Sequence, residues 1–173
     1  MLKFMSVLIE KNQSNFDQPR MIINIDISEE EIFCLNSLGW LFLNLGNLEK
    51  SFEYYNQSFE KCKKKEAKNG ENVLFFSQVY NGLGELYEKM GNLGKSEEFK
   101  IKTLTIMVNL YGEGSENVAM SYNNLGSLYR TLGNLGKAEE FYKKALKIRL
   151  NLFGENHSNV ADSYNNVGTL FII

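Results

Sequence analysis

Apolar residues along this chain recur at steps of three and four, the spacing of one helical face. Between Asn117 and Thr131, Val118, Tyr122, Leu125, Leu128 and Tyr129 fall on one side and predict a single buried stripe. Gly133-Asn134 interrupts that helix. From Leu135 a second helix carries Ala138, Phe141, Tyr142, Ala145, Leu146 and Ile148 as far as Gly154, a residue suited to a left-handed stop. One such pair of helices leaves apolar surface that only a neighbouring pair can cover, so the pattern predicts stacking.

The unit recurs along the sequence. Gly84, Gly126 and Gly168 follow one another at 42 residues, as do Gly70, Gly112 and Gly154, and Gly91 and Gly133 share the interval. The first unit is longer, because Gly39 and Gly46 precede Gly84 and Gly91 by 45 residues. The additional residues are expected in the lysine-rich stretch Lys61 to Lys68, where they extend the second helix of that unit by close to a turn. Ser28 to Glu31 has the form of a capping box, with Ser28 accepting from the backbone N–H three residues on and Glu31 reaching back, and marks the first helix start.

Residues 1–27 stand outside the repeat. Ile23, Ile25 and Ile27 alternate with Asn24 and Asp26 as in an extended, strand-like segment that could cover the first helices, and Pro19 prevents one helix from running through the region. The solenoid then occupies 28–173, with units at about 29–70, 73–112 and 115–154 and a half unit at 158–173.

Composition narrows the function classes. Hydrophobic residues at 43% and charged residues at 23% supply a core and a hydrated surface, which excludes general disorder. A net charge of -2 gives no basic excess for a run of phosphates, so no nucleic-acid partner is expected. No apolar run reaches the roughly 18 residues a membrane span requires, and Met1 to Ile9 ends at Glu10-Lys11 without a small-residue cleavage site. The expectation is a cytoplasmic protein whose Cys34 and Cys62 stay reduced, whose Asn12, Asn56 and Asn156 sequons are chance, and which takes no metal or cofactor.

By this point the residues resemble a family. Tyr122-x-x-Leu125-Gly126-x-x-Tyr129, followed by Ala138-x-x-x-Tyr142 and Ala145, is similar to the tetratricopeptide repeat signature, with tyrosine in place of its tryptophan and phenylalanine. The second unit matches at Tyr80, Leu83, Gly84 and Tyr87 and drifts at Ser96, Lys100 and Thr103. The first matches at Leu35, Leu38, Gly39 and Phe42 and continues with Ser51, Tyr55 and Ser58, and the last has Tyr164, Val167, Gly168 and Phe171. The period of 42 residues, the Asn-Asn before Leu-Gly, and Gly154 to Ala161 resemble more narrowly the kinesin light chain subclass. The resemblance implies an all-α, right-handed superhelical solenoid of antiparallel helix hairpins. Motor light chains also carry heptads before their repeats, which residues 1–27 do not supply.

In that family the first helices line a concave groove whose asparagines hydrogen-bond an extended peptide, since an amide both donates and accepts. Asn36, Asn81, Asn123 and Asn165 occupy equivalent places, with Asn124 and Asn166 one residue further on. These side chains are expected either to read a peptide or to bond neighbouring helices. Gln78, Glu85, Glu88, Lys89, Ser127, Arg130 and Asp162 are further groove candidates by family position. Asparagines stand where a chaperone-tail clamp would place lysine, so that ligand class is disfavoured.

Other motifs carry less. Gly94-Lys95-Ser96 resembles the end of a phosphate loop, but Lys89 stands where its first glycine belongs, and Gly82-Leu83-Gly84 lacks the third glycine of a dinucleotide fingerprint. His157, the single histidine, reads as a solvent-exposed turn residue with no catalytic constellation. The run Lys61-Cys62-Lys63-Lys64-Lys65 reads as a solvated helix face in preference to a site for an acidic partner. The expectation is a non-catalytic protein-interaction scaffold that binds a partner peptide in its groove. The alternatives are a kinesin light chain-like cargo adaptor, or an assembly subunit that docks or self-associates through an apolar terminal helix at Val167, Leu170, Phe171, Ile172 and Ile173.

Overall fold

A computed structural model describes residues 27–69 and 73–171. The extended segment expected at 21–27 lies outside the described residues except for Ile27, which is helical and begins α1, and Gly70, Ile172 and Ile173 lie outside them as well. The described chain is helical throughout: α1 (Ile27–Asn44), α2 (Leu48–Asn69), α3 (Val73–Lys89), α4 (Leu93–Tyr111), α5 (Glu116–Thr131), α6 (Leu135–Phe153) and α7 (Ser158–Gly168). α1 pairs with α2, α3 with α4, and α5 with α6, and the pairs stack in chain order into a right-handed superhelical solenoid that α7 ends as a half unit. The repeat expected from the sequence is therefore the architecture.

Each hairpin turn is built the same way. Gly133 takes φ 73°, which a side chain would disfavour, and reverses the chain after α5. The Asn134 Oδ1 atom then accepts from the Lys137 backbone N–H at 3.1 Å and satisfies a donor at the start of α6. Asn47 and Asn92 do the same for Lys50 and Lys95, at 3.0 and 3.2 Å. This capping asparagine explains the Gly-Asn pair in every unit. The longer first unit also falls where expected, since α2 has 22 residues and α4 and α6 have 19 each.

Some local expectations are corrected. α1 begins at Ile27, one residue before the cap expected at Ser28, and the Glu31 carboxylate lies 2.8 Å from Lys61 Nζ across the hairpin. Gly154 has φ 75° but ψ 170°, an extended conformation open to glycine and not the left-handed helical well. The apolar terminal helix ends at Gly168. There Leu170 N–H and Phe171 N–H bond carbonyls three residues back, tightening the last turn and folding Leu170 into the core while Phe171 stays exposed.

Two clusters mark the core: Ile32, Leu43, Tyr55, Cys62, Phe76, Val79, Leu83 and Leu86 form the first, and Leu125, Tyr129, Ala138, Tyr142 and Leu170 the second, with Val118, Leu128 and Val160 also buried. In each, an aromatic ring sits on a glycine of the facing helix. A Cβ on Gly39 would lie 2.8 Å from the Tyr55 ring, and one on Gly126 would lie 2.6 Å from Tyr142. In the middle unit Lys100 takes that seat above Gly84. Tyr122, expected in the buried stripe, is half-buried at its edge, where it tilts against Phe141 at 5.9 Å.

The outer edge of the hairpins carries its own repeat. Phe42–Tyr54, Tyr87–Phe99 and Tyr129–Phe141 stack within 6°, 3° and 3° of parallel. Lys50, Lys95 and Lys137 lie over the first ring of each pair at 5.1, 4.9 and 4.6 Å, close enough for a cation–π attraction.

Candidate functional site

The stacking of hairpins sets α1, α3, α5 and α7 side by side, and the candidate residues lie along their adjoining edges. Two asparagine pairs bridge successive helices. Asn124 Nδ2 donates to Asn81 Oδ1 at 3.1 Å, and Asn166 Nδ2 donates to Asn123 Oδ1 at 2.6 Å. Asn81 also donates to Glu85 Oε1 at 2.9 Å. The asparagine register is thus a row of inter-helix rungs, and Asn81 and Asn123 already use their amide oxygens on the neighbouring unit.

The first junction lacks its rung. The place of Asn124 and Asn166 is held there by Gly82, because the Tyr55 ring fills the space: a Cβ on Gly82 would lie 2.3 Å from Tyr55 Cε1. The amide oxygen of Asn36, equivalent to Asn81, is consequently buried without a hydrogen-bond partner. Beside it opens a cavity of about 500 Å³ bordered by Trp40, Gln78 and Glu85. A second cavity of about 250 Å³, between α3, α4 and α5, is lined by Gln78, Met107, Met120 and Asn124 with no charged residue.

The remaining candidates divide. Glu88 pairs with Lys100 Nζ at 2.5 Å, and Lys100, buried in the ring position, also donates to the Asn124 carbonyl at 3.3 Å. Ser127 is half-buried near the Tyr142 phenol. Gln78, Lys89, Arg130, Asp162 and Asn165 are exposed. Burial pushes the phenol of Tyr142 up, and the Arg130 charge and the Ser127 hydroxyl oppose that. Burial also pushes Tyr55 well above the usual phenol range, and there the Glu85 charge adds to the rise.

Sequence reasoning missed Trp40, Tyr55 and Arg149. The signal for Trp40 was its place in the unit, shared with Glu85 and Ser127, where an indole is out of pattern. Arg149 is buried between units, 2.9 Å from Glu116 and donating to Ser163 Oγ at 2.9 Å, and its length and charge alone suggested an exposed position. His157 is exposed as expected, but it also caps α7 by accepting from the Asn159 N–H at 3.1 Å and stacks on Phe153 at 4.4 Å. Lys95 lies in a capped hairpin start and not in a phosphate loop. Lys61 and Lys63 pair with Glu31 and Glu60, and Cys62 between them is buried. Among the described residues no cluster of three His, Cys, Asp or Glu side chains could hold a metal, and no helix is long and apolar enough to cross a membrane.

Comparison with known proteins agrees with this architecture. Tetratricopeptide repeat models match residues 75–151 and 34–61. No curated protein matches the sequence. Among solved structures, BtubC (BKLC) from P. vanneervenii is similar at 25% identity and a TM-score of 0.69, over 84% of this chain and 59% of that one. This chain therefore spans about three fifths of that protein's length. The tetratricopeptide domain of Arabidopsis FLU is 19% identical over 72% of this chain and 98% of its own, with a TM-score of 0.60. The nearly identical repeats of a kinesin light chain protein from Podosopora anserina are 14% identical over 81% and 65%, with a TM-score of 0.68. With helix hairpins, ring-on-glycine packing and two family matches that together span more than half the sequence, the chain belongs to the tetratricopeptide repeat family, whose members are generally protein–protein interaction modules.

Proposed function

We propose that this chain is a non-catalytic interaction scaffold of the cytoplasm and that an extended segment of a partner protein lies along α1, α3, α5 and α7. The observation that carries this reading is the asparagine row. Each rung spends one oxygen of the earlier asparagine and one N–H of the later one, so amide groups remain at regular intervals to meet a peptide backbone. A net charge of -2 favours a protein over a nucleic-acid partner. The likeness to kinesin light chain repeats supports a cargo-adaptor version of the same role.

A peptide selected against the full chain from a random library tests the reading. Joint replacement of Asn81 and Asn123 by Ala is expected to weaken it at least tenfold while circular dichroism still reports a folded helix solenoid. Unchanged affinity would remove the asparagine row from recognition. A second role, docking or self-association through the last half unit, is favoured by Phe171, 67% exposed beside the partly buried Val167. Light scattering that gives a monomer at high concentration would reject self-association.

A further inference from the structure

The first junction differs from the later ones in a way that specifies chemistry. Its missing rung leaves the Asn36 amide oxygen unpartnered, and the cavity beside it is bordered by Glu85, whose hydrogen bond among the described residues comes from the neutral Asn81 amide. No described cation pairs with Glu85, whereas Glu88, one turn on, is neutralised by Lys100. The wall opposite is aromatic: Trp40 is 58% exposed and Phe33 54% exposed, although both lie on a helix that contributes to the first core cluster. A carboxylate thus faces an unfilled space beside exposed π surfaces, with an unpartnered acceptor buried at its edge.

We propose that this cavity is a pocket for an arginine side chain of the partner segment. The proposal rests on the groove reading above and names the chemistry recognised at its first junction. A guanidinium carries five donors in one plane, so it can pair with Glu85, donate toward Asn36 and stack on the Trp40 indole at once. A lysine ammonium is a compact point charge without a stacking plane. The Asn36 amide turns about a broad terminal torsion, which brings its oxygen to a donor entering the cavity. The second cavity lacks both the carboxylate and the indole, so the preference belongs to one end of the groove.

The test uses the full chain and the peptide acetyl-Gly-Arg-Gly-amide, followed by nitrogen–proton NMR. Trp40 is the single tryptophan, so its indole N–H is an unambiguous reporter. The expected result is a saturable shift of that signal and of the Asn36 side-chain amide, with the Gln counterpart of the peptide binding at least tenfold more weakly. Glu85→Gln keeps an acceptor for Asn81 and removes only the charge. It should weaken the arginine peptide at least tenfold with no change in melting temperature. An unmoved indole, equal binding of the Gln peptide, or an indifferent Glu85→Gln variant would overturn the proposal. Concentration-dependent indole shifts without peptide would assign the pocket to a second copy of the chain and overturn it as well. A library peptide that depends on Asn81 and Asn123, lacks arginine and leaves Trp40 unmoved would reject the pocket and retain the groove.

Discussion

The junction between α1 and α3 and the junction between α5 and α7 are copies of one design with different outcomes. At the later one Asn166 reaches Asn123 and closes the rung. At the earlier one Tyr55 reaches past Gly39 to lie against Gly82, so a ring occupies the space an asparagine would need. The difference teaches that packing and polar recognition compete for the same volume between units. A larger apolar contact removes a hydrogen bond and leaves behind a cavity with an unpartnered acceptor.

Substitutions at three kinds of position test this contrast. The largest effect is expected from Tyr55→Ala, which removes a ring with 1% exposure seated on two glycines and should cost about 3 to 5 kcal/mol, as large aromatic truncations do. Denaturant unfolding measures it, and a loss clearly below that of Tyr142→Ala, whose ring covers Gly126, would undo the claim that Tyr55 dominates the first junction. Next is Gly126→Leu. A Cβ there meets the Tyr142 ring at 2.6 Å, and overpacking of this kind costs about 1 to 3 kcal/mol. A wild-type melting temperature would show that α5 and α6 can separate at no cost. The smallest is the rung itself. Asn166→Ala should lose about 0.5 to 1.5 kcal/mol with its hydrogen bond, while Asn36→Leu, which removes an unpartnered buried acceptor, should be neutral or stabilising. Equal losses from the two would mean that the first junction is not missing a rung.

The fold was legible because its information is periodic. Gly126 recurs as Gly39 and Gly84 and Ala138 as the small Ser51 and Ser96, and each of the three glycines meets a side chain of the facing helix at close approach. The added residues of α2 could be located for the same reason. The groove residues were legible as positions but not as partners. That Asn124 would bond Asn81 depends on the distance between helices from different units, which no local pattern encodes. Lys100 was the hardest to place. Its sequence read as drift from the family pattern, yet the side chain sits where Tyr55 and Tyr142 sit and is neutralised by Glu88, a residue that had been assigned to the groove.

Lys100 has one more effect. By placing an ion pair where the flanking units place a ring, it sits on a helix that serves both apolar clusters, with Phe99 and Ile106 packed against the first and Leu104 against the second. In a stacked array each unit is held by its neighbours, and Lys100 is part of that hold, since its ammonium pairs with Glu88 inside the middle unit and donates to the Asn124 carbonyl of the next. The row of asparagines crosses the same joint through Asn124 and Asn81, so a segment bound along it would add to a joint the ion pair already ties. Amide exchange in α4 and α5 would then slow together on binding.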